Sequence, residues 1–293
     1  MDLKSLRYFL AIAEEGSISA AAESLNLSQP NISRQMTLLE KELGAKLFER
    51  GSRRIVLTEE GTLLRRRAVE ILQLADTAVT EIGSAGKDVI GTVRIGCGET
   101  DAMRVVARAI RRFSETHPMV RFELHSGNAE DVSDLLERGL VDFGVLIEPT
   151  DKTRYDYLSF PTDIRWGALV RRDDPLARMY GVSPSDISGR RVIVSRQNMA
   201  ANGISGWMGP DFPEPDVVAT YNLLFNASLL VSEGVGIALC LEGIVNTSGD
   251  SDLVFVPFEP ELRVGMSLVW KKNSVQGRAQ RLFLDGLRVF FGT

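Results

Sequence analysis

The sequence predicts a multidomain α/β protein: a winged helix-turn-helix over residues 1–58, a long linker helix over 59–87, and a two-lobe α/β domain over 88–293. Three observations predict it. Between Ala20 and Gly61 two short helical patterns, joined by a tight turn, lead into a basic hairpin and the start of another helix. From Leu64 to Ile82 apolar residues recur at alternating steps of four and three. From Gly91 onward short apolar strands alternate with helical patterns, which packs parallel-rich sheets between helical layers. At 293 residues the chain can hold two or more domains, each with its own core.

The first helix places Leu3, Leu6, Leu10 and Ala13 at helical spacing, with Phe9 alongside. The second is expected to begin near Ser19, a capping residue, and its Ala20-Ala21-Ala22 run is small enough for close packing. Ser28 suits the cap of a third helix, accepting a hydrogen bond from a free backbone N–H, and Pro30 is tolerated in a first turn. Ile32, Met36, Leu39 and Leu43 then share one helical face. Gln29, Ser33 and Thr37 lie elsewhere on the cylinder, beside Pro30 and Arg34. Such side chains hydrogen-bond base edges and phosphates, which an apolar face does not.

Beyond Gly44, Leu47 and Phe48 precede Arg50, Arg53 and Arg54, which crowd around a candidate hairpin tip at Gly51-Ser52. Ile55-Val56-Leu57 reads as a strand. The arginines suit phosphates or a narrow minor groove; the competing reading is a solvated loop that happens to be basic. A helix pair followed by a basic wing is the order in which a winged helix-turn-helix docks on DNA, and that order favours the first reading.

Thr58, Glu60 and Gly61 open the linker, and Gly83, Gly86 and Gly91 close it. Leu64, Ala68, Ile71, Ala75, Ala78 and Ile82 form a heptad seam whose small alanines allow close helix approach. The alternative is a helix packed on its own domain. A helix of about 40 Å outreaches a domain of about 60 residues at ~1.5 Å per residue, which favours a second chain on the seam. Paired reading heads would then meet two-fold related half-sites.

In the α/β part, strands are expected at Thr92–Gly96, Phe122–His125, Phe143–Ile147, Trp166–Val170, Val192–Ser195, Val217–Ala219, Ile237–Leu241, Leu253–Val256 and Val264–Trp270. Helices are expected at Arg104–Thr116 (Val106, Ile110 and Phe113 inward), Asp131–Arg138, Leu223–Glu233 and Val275–Phe291. The 206 residues from Asp88 suit two lobes better than one. Ligands bind such sheets at the carboxyl ends of strands.

Charge and composition narrow the function. The formal charge is −5, but residues 1–87 are balanced at 12 basic and 12 acidic side chains, while 28–57 hold six basic and three acidic. The distribution of charge, not its total, supports nucleic-acid binding. No run reaches the ~18 apolar residues of a membrane helix. The apolar patch in MDLKSLRYFLAIAEEG ends at Glu14-Glu15 and belongs to the first helix, so no secretory signal is read and a cytoplasmic location is expected. Cys97 (VRIGC) and Cys240 (GIALC) read as buried core thiols, with no CxxC pair. Two histidines, His117 and His125, do not make a metal site.

Gly96-Cys97-Gly98 lacks the third glycine of a dinucleotide loop, and Glu99 and Asp101 would repel phosphates. Gly234-Val235-Gly236 is a helix stop before a strand. There is no Ser-centred nucleophile elbow. No enzyme, cofactor or metal is expected.

The run AA..L..SQP..S.....LE..LG..LF.R..R...LT..G, filled from Ala21 to Gly61, resembles the LysR-type transcriptional regulators. The signature covers about a fifth of the chain and nearly every fixed position is occupied. The resemblance implies DNA contacts from the second helix of the pair and from the wing, hence Gln29, Pro30, Ser33, Arg34, Arg50, Arg53 and Arg54. Asn31 stands where the family often has a small residue, so base preference there is open. It implies dimerisation through the linker helix, as a homodimer or a dimer of dimers (homotetramer), and contact with RNA polymerase on activation. It also implies two lobes similar to periplasmic solute-binding proteins, with the chain crossing near Pro161–Arg165 and Glu261–Val264. Lobe one is then 91–161 plus 266–293, and lobe two 162–265.

A small effector is expected between the lobes, against Glu99, Thr100, Asn128, Ser195, Arg196 and Asn222. Glu99 replaces a common Ser or Thr, which disfavours a simple anion. With Arg196 it would suit an amino acid or other zwitterion; the alternative is two solvated loop charges. The expectation is therefore a regulator that binds promoter DNA and changes its grip when a small polar metabolite fills the cleft. The rival readings are a solute-binding transport protein, disfavoured by the N-terminal reading head, and a winged-helix repressor that senses nothing.

Overall fold

The structure, a computed structural model, describes residues 1–50, 55–83, 89–196, 203–213, 215–272, 274 and 276–291, and the chain divides into two units, Met1–Ala85 and Gly86–Thr293. In the first unit, caps set the helix ends. Helix α1 (Leu3–Glu15) starts at Asp2, whose carboxylate accepts the Ser5 N–H at 2.6 Å, and stops at Gly16 in the left-handed region. Helix α2 (Ile18–Ser24) is capped by Ser17, not Ser19: the Ser17 hydroxyl accepts the Ala20 N–H at 3.0 Å, because the turn at Gly16 leaves Ser17 as the last extended residue. Helix α3 (Gln29–Leu43) follows Ser28 and ends at Gly44.

Ile32, Met36 and Leu39 of α3 enter a core with Leu6, Phe9, Ile12, Ala21 and Ala22. Leu43, expected inward, is 41% exposed because the core ends one turn earlier. The wing strands β1 (Phe48–Arg50) and β2 (Ile55–Leu57) pair antiparallel, Phe48 opposite Leu57. The expected hairpin tip, Gly51-Ser52, with Arg53 and Arg54, lies outside the described residues, as does the Arg50 side chain. Helix α4 (Glu59–Gly83) opens with the Thr58 hydroxyl accepting the Gly61 N–H at 2.9 Å.

The second unit holds two mixed sheets. The first is ordered β4–β3–β5–β13–β6, from β3 (Gly91–Cys97), β4 (Val120–Ser126), β5 (Phe143–Ile147), β6 (Tyr155–Ser159) and β13 (Met266–Lys271). β3, β4 and β5 are parallel; β13 runs antiparallel to β5 and β6. The second is ordered β11–β7–β10–β8–β9, with β7 (Ile164–Arg171), β8 (Arg191–Ser195), β9 (Asp216–Tyr221), β10 (Ile237–Leu241) and β11 (Leu253–Pro257). There β8, β9 and β10 are parallel, and β12 (Arg263–Val264) pairs with the start of β7.

Helices cover both sheets. α5 (Met103–Thr116) precedes β4, α6 (Ala129–Glu137) precedes β5, and the short α7 (Pro184–Ile187) and α8 (Gly203–Met208) flank β8. α9 (Leu224–Ser232) joins β9 to β10, and α10 (Arg278–Phe291) closes the chain. Phe113 of α5, Phe122 of β4 and Phe283 of α10 meet with ring centroids 5.0–6.0 Å apart.

The strand expected over Val264–Trp270 is two strands in different sheets. Gly265 separates them, and there the chain returns from the second sheet to the first, just beyond the expected Glu261–Val264. A Cβ at Gly265 would lie 3.3 Å from Asp163 of the outgoing crossing. The strand Tyr155–Ser159 (YDYLS) went unread in the sequence because its pattern alternates charge and ring without an apolar run.

Candidate functional site

Two surfaces carry the predicted chemistry. On α3, Gln29, Pro30, Arg34 and Thr37 are exposed and Ser33 is half-buried. At ~100° per residue these five positions span about 140° of the helix, an arc separate from the buried Ile32, Met36 and Leu39 that borders them on the Gln29 side. Thr37 donates to the Ser33 carbonyl at 3.0 Å, while the Ser28 side chain makes no capping bond.

Other signature residues shape the scaffold around this arc. The Glu40 carboxylate accepts the Leu47 N–H at 2.8 Å and pairs with Lys46 at 2.9 Å, fastening the wing to α3. Burial raises the Glu40 carboxyl, but the Leu47 N–H and Lys46 outweigh it and hold it below the ordinary value. Gly61 is demanded by packing: a Cβ there would stand 2.1 Å from the Leu47 carbonyl oxygen.

Of the seam residues, Ala68 is fully buried, and Leu64 and Ile71 pack against the core of their own unit with Leu72. α4 lies along α1, with Arg7 and Asp76 bridging them at 2.6 Å. Ala75 is half-buried, Ala78 exposed, and the Ile82 side chain is outside the described set. The first half of the seam thus closes a core that three short helices leave open. A different stripe is bare: Leu63 (51% exposed), Leu74 (47%) and Ala78, within about 60° of one another on the helix.

In the second unit a cavity of about 80 Å³ opens where the six parallel strands end. Gly98 and Glu99 follow β3, Asn128 follows β4, and Glu148 follows β5. Ser195 ends β8, Tyr221 and Asn222 come from β9, and Leu241 ends β10. Glu99, Asn128, Ser195 and Asn222 are therefore brought together as expected lining. Thr100 and Arg196 are not: the buried Thr100 hydroxyl turns to the Ala102 N–H (3.3 Å) and Met266 sulfur (3.4 Å), and the exposed Arg196 is not part of the lining. The pairing of Glu99 with Arg196 is not formed. Instead Glu99 Oε2 accepts the Leu224 N–H at 3.1 Å, bridging lobe one to lobe two.

Asn128 accepts the Asp131 N–H at 3.0 Å and closes the start of α6. The Tyr221 hydroxyl donates to the Leu239 carbonyl at 2.8 Å, and burial raises it well above its ordinary value. Burial, then the charge of Glu99, pushes the Cys97 thiol up; burial pushes Cys240 up to about 12.

Tyr221 lines the cavity from the strand-end loop Thr220-Tyr221-Asn222 expected to face it, while Trp166 and Glu148 line it without a reading in the sequence. Tyr221 and Glu148 share the signal that found Asn222, the end of a parallel strand. Trp166 has none, since it comes from an antiparallel strand just past the crossing. Among the described residues no His/Cys/Asp/Glu group could hold a metal ion, and no helix is long and apolar enough to cross a membrane.

Comparison with known families matches residues 3–62 to "Bacterial regulatory helix-turn-helix protein, lysR family" and residues 86–291 to "LysR substrate binding domain". The chain is 26% identical to the HTH-type transcriptional regulator YvbU of Bacillus subtilis over 297 residues, covering 100% of this chain and 99% of that protein. It is 37% identical to the HTH-type transcriptional regulator BenM of Acinetobacter baylyi over 147 residues, 49% of this chain and 47% of BenM. Its fold is similar to that of full-length CbnR, solved in complex with its target DNA, at a TM-score of 0.75 and 20% identity over 99% of this chain and 100% of that one.

Proposed function

The chain belongs to the LysR family of transcriptional regulators, and from that premise we propose how its parts divide the work. Promoter DNA is read by Gln29, Pro30, Ser33 and Arg34 on α3, with Arg50, Arg53 and Arg54 of the wing on the backbone. The observation that carries this is the exposed polar arc of α3, set apart from the face that builds the core. The N-terminus of α3 adds its partial positive charge, and the uncapped turn at Ser28 is free to meet a phosphate.

A second copy of the chain covers the bare Leu63, Leu74 and Ala78 stripe of α4, with Ala75 and Ile82 continuing the contact, so that two α3 helices meet two half-sites. Leu64, Ala68 and Ile71 support that contact from inside their own core. A small polar metabolite enters the cavity between Glu99, Asn128, Ser195 and Asn222, and shifts DNA binding through its differential affinity for two lobe arrangements. Thr100 and Arg196 stand behind and beside that cavity. The regulator works in the cytoplasm, carries no catalysis, and engages RNA polymerase where it activates.

Footprinting tests the DNA face. Arg34→Ala is expected to abolish the specific footprint while leaving the melting temperature nearly unchanged. Arg178→Ala, an exposed arginine of the second unit, should leave the footprint intact. Equal losses from both variants would break the assignment.

A further inference from the structure

Helix α9 begins without a cap of its own. Leu223 holds the N-cap position and makes no side-chain capping bond; the Leu224 N–H donates instead to Glu99 Oε2, from the opposite lobe. The other helix that starts at the cavity, α6, is closed by Asn128 and Asp131 of its own chain. Both positive helix ends that would draw an anion into the cavity therefore already hold oxygens of this protein.

Among the described residues, the rest of the lining carries no cation that would hold an anion. Glu148 contributes a second carboxylate, itself engaged by Lys152, the Ser267 hydroxyl and the Thr150 N–H. Glu99 has no cationic partner among the described residues, and no Lys or Arg lines the cavity among them. Trp166, 6% exposed, adds apolar surface to the lining. A volume of about 80 Å³ suits a small occupant.

The loop that carries Glu99 also touches lobe two a second time. A Cβ on Gly243 would lie 2.8 Å from the Asp101 Cβ, which fixes this loop close against lobe two.

Resting on the reading of this cavity as the effector site, we propose that Glu99 sets its ligand class. The carboxylate fills the anion position from within, excludes ligands that carry a carboxylate or phosphate, and selects a small cation bearing a protonated amine. Such a ligand places its ammonium against the Glu99 oxygen that does not face Leu224 and its carbon chain toward Trp166.

Thermal melts of the full chain against a pair of probes with matched shape and opposite charge, n-butylamine and butyrate, test this at equal ionic strength. The wild type should be stabilised by millimolar n-butylamine and not by butyrate. Glu99→Ala should lose the amine response and gain a butyrate response, as the free carboxylate enters the vacated position. Glu99→Gln keeps an oxygen for the Leu224 N–H, so it should lose the amine response without gaining the other; far-UV circular dichroism confirms that both variants fold.

Butyrate stabilising the wild type as well as the amine does, or Glu99→Ala leaving both responses unchanged, would overturn the proposal. So would a wild type silent toward n-butylamine, ethanolamine and putrescine alike. If uncharged polyols shift the wild type and amines do not, the ligand class falls and the effector cavity stands. If no probe shifts either protein, both fall.

Discussion

Helices α3 and α9 start alike and differ in what fills the first turn. Neither receives a capping bond from the side chain at its N-cap, Ser28 in one and Leu223 in the other. At α3 the first turn faces solvent, with Gln29, Pro30 and Arg34 exposed around it. At α9 the first free N–H is taken by Glu99, carried across from lobe one. A helix N-terminus draws negative charge through its unpaired N–H groups. In the roles proposed above, the end left open beside an arginine would serve a phosphate from outside the protein, and the end filled from inside would decide which ligands stay out. The same backbone feature would then support recognition in one unit and exclusion in the other, with the neighbouring side chain making the difference.

The comparison breaks most sharply if the scaffold behind α3 is removed while α9 is left alone. Gly61→Ala forces a Cβ to 2.1 Å from the Leu47 carbonyl oxygen, a backbone atom that cannot move without lifting the wing. We expect a loss of about 3 kcal/mol or more in the first unit. Specific DNA binding should disappear while ligand-dependent melting of the second unit persists. Loss of both responses together would mean that the two units do not fold independently.

A smaller effect comes from Glu40, which ties the wing to α3. Glu40→Ala removes an acceptor from the buried Leu47 N–H and should cost about 1–3 kcal/mol. Because the folded carboxyl titrates below its unfolded value, its contribution is present above the ordinary carboxylate range, near ~4.3, and is lost as pH falls through the folded value. Wild type should therefore lose stability of the first unit on acidification more steeply than the alanine variant. Parallel pH profiles of the melting temperature would show that this carboxylate does not fasten the wing.

How much of this was legible in the sequence depends on whether the cause was local. The α3 face could be read because period 3.6 sorts Ile32, Met36 and Leu39 from Gln29, Ser33 and Arg34 without any knowledge of the rest of the fold. Strand ends located Glu99, Asn128, Ser195 and Asn222, since parallel strands announce themselves as short apolar runs. A heptad pattern does not say which helix covers it, and Leu64, Ala68 and Ile71 pack into the core of their own unit. Ser17 and Ser19 are equal as capping residues; the left-handed turn at Gly16 chooses between them. The partner of Glu99 is a backbone N–H 125 positions away, which no side-chain pattern records.

Capping chemistry gives the finest test of the contrast between an occupied and an open helix start. Ser17 and Ser28 both precede helices of the first unit, and of the two hydroxyls only that of Ser17 caps, accepting the Ala20 N–H at 3.0 Å. Ser17→Ala should lower stability by about 1 kcal/mol, the usual worth of a serine cap. Its effect on DNA affinity should follow from that loss alone. Ser28→Ala removes no internal bond, so thermal melts should barely change. If the start of α3 is held open for a phosphate, the same substitution should still weaken DNA binding, because the hydroxyl then finds its partner on the DNA backbone. With those outcomes the two serines would separate stability from recognition within one small core, Ser17 acting on the fold and Ser28 on the DNA. Equal melting losses from both would mean that α3 is capped in solution after all, and that its open N-terminus is not what the DNA meets.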